Sequence, residues 1–167
     1  MNRALLLTPL FFLLAACPPA EPPRLTGSGH DMFAPVKMRL HPLTRWVAPT
    51  TNGSATAPSA ATVEARLEFT DQFGDVAKGV GKVYFELYAY EPIAIGNRGD
   101  RIDLWHSDIA TPELNKQHFD PITRTYLFKL GVNESKLPRG QTRFVLVATF
   151  TLPNESRLSD SMQIAVR

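Results

Sequence analysis

The chain has 167 residues, 44% hydrophobic and 20% charged, the size and balance of one ordinary globular domain rather than of a disordered tail. Its net charge is only +2, with no run of four Lys or Arg, so phosphate attraction does not drive its function and nucleic acid is not expected as a partner. The single cysteine, Cys17, excludes a cysteine pair for zinc or redox chemistry.

Residues 1–16 read as a signal segment. Arg3 supplies the positive start, and residues 4–16 form a thirteen-residue apolar stretch interrupted by Pro9. That is short of the ~20 apolar residues needed to cross a bilayer. Its end, Leu14-Ala15-Ala16-Cys17, resembles the lipobox of bacterial lipoproteins. The resemblance implies a diacylglyceryl group on the Cys17 sulfur, cleavage before Cys17, and acylation of the new amino group by a palmitate-type chain. Small residues at 15 and 16 would let a peptidase reach the backbone. Two or three acyl chains hold a protein on a membrane far better than one. The competing reading is an ordinary secretory signal cut near Ala16 or Ala20, with Cys17 incidental. Pro18, not aspartate, follows the cysteine. In enteric bacteria aspartate there favours inner-membrane retention, so the resemblance implies a lipid-anchored envelope protein, at the outer membrane or periplasmic face.

After the anchor, residues 17–33 comprise the cysteine and a proline-rich tether, "PPAEPPRLTGSG" over 18–29, stiffened by proline and loosened by glycine. The folded domain is expected over 34–167. Within it, residues 48–62 are small, polar and proline-bearing, and cannot bury enough apolar area to offset ordering, so they read as a loop. Asn52, Asn133 and Asn154 each begin an Asn-X-Ser triplet, which marks three surface turns.

The rest is β-patterned. Residues 62–70 alternate, with Val63, Ala65, Leu67 and Phe69 one way and Glu64, Arg66 and Glu68 the other. Residues 80–90 put Val83, Phe85, Leu87 and Ala89 on one face and Tyr84, Glu86, Tyr88 and Tyr90 opposite. Residues 142–152 are apolar on both faces, which predicts a central strand covered on both sides. Shorter strands are expected at 36–41, 102–106, 123–130 and 162–167. The polar segment 107–120 has room for one short helix starting near Thr111-Pro112. About seven short strands without βαβ alternation predict an all-β class: a single Ig-like or fibronectin-like antiparallel sandwich. "TDQFGDVAKGVGKVYFEL", residues 70–87, resembles the strand–turn–strand of bacterial Ig-like domains at Asp71, Gly74, Lys78-Gly79, Val83 and Phe85, departing at Ala77, where proline is frequent.

No catalytic constellation is present, neither a Gly-x-Ser-x-Gly elbow nor a His-Glu-x-x-His, and no cofactor is expected. "GDVAKGVGKV" fails as a phosphate loop because Val76 and Val83 stand where Gly and Ser/Thr are required. Asp71 and Asp75 read as turn residues rather than calcium ligands. His106-Ser-Asp108 and His118-Phe-Asp120 could bring two imidazoles to a metal, but surface polar residues are the simpler reading. Arg98-Gly99-Asp100 matches an integrin-recognition tripeptide in a turn-prone stretch that a hairpin explains as well. The candidate binding face is aromatic: Tyr84, Tyr88 and Tyr90, with Trp105 on a neighbouring strand. The expected function is therefore non-enzymatic. It is that of a membrane-anchored envelope lipoprotein serving as a binding or scaffolding module for an envelope protein, or alternatively as a carbohydrate-binding module for a cell-wall or exopolysaccharide ligand. The residues name neither the partner nor an oligomeric state.

Overall fold

A computed structural model describes residues 32–49 and 61–166. The expected signal segment 1–16, Cys17, nearly all of the expected tether and most of the expected 48–62 loop, including Asn52, lie outside the described residues.

Ten strands and one α-helix make up the described chain: β1 (Lys37–Leu40), β2 (Arg45–Val47), β3 (Thr62–Thr70), β4 (Val76–Ala77), β5 (Lys82–Tyr90), β6 (Arg98–Asp108), α1 (Pro112–His118), β7 (Phe119–Asp120), β8 (Thr125–Gly131), β9 (Arg143–Thr151) and β10 (Arg157–Ala165). They form two antiparallel sheets. One runs β1-β3-β8-β7, with β2 and β4 also paired to β3, and the other runs β10-β9-β5-β6. This is the all-β sandwich that the alternation predicts. β3 stays in the first sheet while β5 crosses to sit beside β9, as in immunoglobulin-like folds.

The period-two pattern of β3 and β5 builds the core. Val63, Leu67 and Phe69 of β3 and Val83, Phe85 and Leu87 of β5 are fully buried and meet Phe128 of β8 and Phe144, Leu146 and Phe150 of β9. Aromatic contacts tie the sheets together. Phe69 lies 4.6 Å from Phe150, and Phe85 lies 5.0 Å from Phe128. β9 is the central strand covered on both faces that its composition predicts, since Val145 and Val147 on its outer side are buried as well.

Short-range reading missed five features. β1 and β2 are two halves of one strand. Leu40 faces Leu67 and Arg45 faces Glu64 along the same side of β3, with residues 41–44 bulged between them. The bulge is held by His41 N–H donating to Arg66 O and by Thr44 Oγ1 accepting from Arg66 N–H. β4 and β7 are two-residue pairings too short to carry a period. β6 begins at Arg98, not at 102, because its first turns are charged and look like loop. β10 begins at Arg157 rather than 162 for the same reason. Two 3-10 turns, Ile95–Asn97 and Glu134–Lys136, also went unread.

The short helix α1 starts where expected. Thr111 caps it, its hydroxyl accepting from Leu114 N–H at 3.3 Å, and Pro112 occupies the first turn. It is locked to the sandwich by Asn115. Its amide donates to Gly79 O at 2.6 Å and Ile109 O at 3.1 Å, and its Oδ1 accepts from the buried Tyr126 hydroxyl at 2.8 Å. Burial pushes the Tyr126 hydroxyl pKa up, against the pull of Asn115 and Gly79. The glycine-rich stretch before β5 is a packing device. A Cβ on Gly79 would press on the Phe69 and Phe150 rings, and one on Gly81 would meet Thr151 O.

Candidate functional site

Cross-strand partners share a face, so the registers of β6, β5, β9 and β10 write the outer face of the four-stranded sheet in rows. His106, Tyr84, Thr149 and Ser159 make one row, and Leu104, Glu86, Val147 and Ser161 the next. Asp108, Lys82, Thr151 and Arg157 make the row beyond Tyr84. The loop after β9 rises beside these rows and closes a broad groove of about 990 Å3, lined by Lys82, Tyr84, Leu104, Thr149, Thr151 and Arg157 among others.

The three tyrosines of β5 lie along this face in three different states. Tyr88 donates to Glu86 Oε1 at 3.0 Å, and Arg101 Nη1 donates to the same oxygen at 2.9 Å. Burial first, and the Glu86 bond second, raise the Tyr88 hydroxyl above the ordinary tyrosine pKa. Tyr90 lies under the Arg143 guanidinium, 4.5 Å from the ring centre. Tyr84 has no such partner among the described residues, and 42% of it is exposed at the groove.

Trp105 does not join them. It sits opposite Phe85, on the core side of β6, half-buried, with its indole N–H donating to Gly131 O at 3.0 Å. The one-residue step from Leu104 to Trp105 turns the side chain to the other face, and Leu104, which sequence reading passed over, takes the exposed place. Its signal was visible in the parity of β6 against β5, but only once the register is known.

The other sequence candidates resolve into structural roles. His106 lies on the outer face across from Tyr84, whereas His118 sits on the inner side, stacked 4.5 Å from Phe128 with Nδ1 at Leu127 O and Nε2 at Ser107 Oγ. The two imidazoles do not converge, and among the described residues no three His, Cys, Asp or Glu side chains cluster as metal ligands do. Asp71 is buried in a turn, its Oδ1 accepting from Phe73 and Asp75 N–H. Arg98-Gly99-Asp100 opens strand β6 rather than forming a loop tip, with Arg98 paired to Tyr90. Asn133 and Asn154 sit in exposed turns that their own side chains brace.

The opposite outer face, on the larger sheet, is ionic. Arg39 pairs with Glu68 at 2.9 Å and Arg45 with Glu64 at 2.8 Å. Arg66 Nη1 donates to Asp120 Oδ2 at 2.9 Å and also to Thr123 and Thr125. Arg66 and Thr123 hold the Asp120 carboxyl down to a pKa of about 2. Among the described residues no helix is long and apolar enough to cross a membrane. Compared with known proteins, the chain matches no protein-family model and no curated protein sequence.

Proposed function

We propose that this chain is a lipid-anchored envelope lipoprotein whose sandwich is a non-catalytic binding or scaffolding module. The Leu14-Ala15-Ala16-Cys17 motif supports the anchor. The observation that carries the binding role is the groove across β6, β5, β9 and β10, where Tyr84 and Leu104 stand exposed while Tyr88 and Tyr90 on that face are engaged. Tyrosine's flat apolar body and polar tip suit a protein interface. Crosslinking in intact cells, with mass spectrometry of the captured species, tests this. A specific envelope protein should be recovered with the wild-type chain and lost with Tyr84→Ser; equal recovery removes the groove from the interface.

A second reading has its own supporting observation. The exposed Tyr84 ring is flanked in its row by His106 and the hydroxyl-bearing Thr149, a stacking platform beside hydrogen-bonding groups that suits a cell-wall or exopolysaccharide glycan. Glycan-array binding abolished by Tyr84→Ala, with no protein captured in cells, decides for it. Trp105→Ala is not the informative variant, because its ring faces the core.

A further inference from the structure

We infer that the end of the sandwich carrying Phe33, Val36, Phe73 and Ile122 rests on the lipid bilayer surface, so that the groove is held at a fixed orientation above the membrane. The inference rests on the lipid-anchor reading, because the anchor keeps this end near the bilayer.

The geometry starts where the preceding chain joins the domain. Gln72 Nε2 donates to Met32 O at 3.1 Å, pinning the incoming chain to the turn after β3. The Phe33 and Phe73 rings stand 6.1 Å apart at that point, 67% and 50% exposed. Val36 shares a surface hollow with Phe73, and it too is exposed. Ile122, at the tip of the β7–β8 turn, projects from the same end, because β8 runs antiparallel to β3 and Thr125 starts it. It is 90% exposed. Isolated apolar side chains on a surface are ordinary, but an aromatic pair with two further aliphatic groups at one end marks a contact surface.

The occupant is argued from chain length and charge. Cys17 and Met32 are fifteen residues apart, at most about 50 Å of extended chain, so an acylated Cys17 tethers the domain to the bilayer at this end, where the chain enters. In the segments 33–37, 71–82, 108–125 and 152–157 that build the end, Lys37, Lys78, Lys82, Lys116, Arg124 and Arg157 are exposed, against the exposed carboxylates of Asp75, Asp108, Glu113 and Glu155, an excess of two cations. Apolar side chains ringed by cations match the interfacial zone of an anionic membrane. The opposite end exposes Ile93 and Ile95 on a single turn. It provides the control.

The test uses the mature protein extracted from its native membrane and reconstituted into phosphatidylethanolamine–phosphatidylglycerol vesicles containing brominated acyl chains. Tryptophan is introduced at either end, as Phe73→Trp or Ile93→Trp, and the wild-type signal of Trp46 and Trp105 is subtracted. The expected result is at least threefold stronger bromine quenching for the Phe73→Trp variant than for the Ile93→Trp variant. Mass spectrometry of the extracted protein reports acylation at Cys17. Equal quenching at the two ends with Cys17 acylated overturns the inference and leaves the anchor standing. An unacylated Cys17 overturns both.

Discussion

The two outer faces of the sandwich are built on the same pleat and over the same core, yet they differ in almost every other respect. On the larger sheet, Glu64, Arg66 and Glu68 alternate with core residues and each meets a partner of opposite charge, so the face is closed upon itself. On the four-stranded sheet the Glu86–Arg101 pair and the charges of Lys82, Asp108 and Arg157 share the face with tyrosines, hydroxyls and Leu104, and two of the three tyrosines are engaged while Tyr84 is not. The lesson is that inner-face chemistry decides whether a strand is made, and outer-face chemistry decides whether it is available. A satisfied ion-pair ladder gives a partner little to gain, since pairing with it means breaking bonds already formed. An exposed ring gives a partner apolar area and one polar tip.

The strongest way to break the comparison is to remove what both faces share. Phe150→Ala opens a cavity between the sheets beside Phe69 and should cost about 3–5 kcal/mol in denaturant unfolding. Both faces should be lost in a single transition. A smaller effect is expected from Asn115→Leu. It removes the donor to Gly79 O and Ile109 O and leaves the Tyr126 hydroxyl only its longer 3.4 Å bond to Gly79 O, and should cost about 1–3 kcal/mol, read as a lowered denaturation midpoint with unchanged slope.

Next comes a test of the ionic face alone. Because the Asp120 pKa is depressed in the fold, its charged form contributes stability that is fully present above the ordinary value near 3.8. That stability is lost as pH falls towards about 2. Thermal melts between pH 5 and 2 should therefore show a decline that Asp120→Asn flattens in this window, with the difference between the two proteins largest above pH 4. An identical pH profile in the variant would show that Arg66 does not hold this carboxylate. The smallest effect on folding belongs to Tyr84→Ser, which should move stability by no more than about 0.5 kcal/mol. If that substitution unfolds the protein instead, the four-stranded face is structural and the contrast between the faces dissolves.

Much of the core was legible because alternation over nine residues is a local signal. The buried residues of β3 and β5 follow it position by position, and the double-sided burial of β9 follows from its unbroken apolar run. The cap at Thr111 and the turn at Asp71 were legible for the same reason, as each side chain bonds to backbone within four residues. The candidate site was half legible. The tyrosines share a face by parity along one strand, but Trp105 and Leu104 exchange places through the pairing of two strands.

By itself, then, the sequence determined the class of fold and the faces of its long strands, because both are written within a few residues. Only the tertiary structure decided how the strands are ordered, that β1 and β2 are one interrupted strand, and that His106 and His118 stand on opposite sides of β6. It also decided that Tyr84 is the tyrosine left free. Those outcomes depend on register between segments far apart in the chain, and a shift of one residue in that register carries every side chain to the other face.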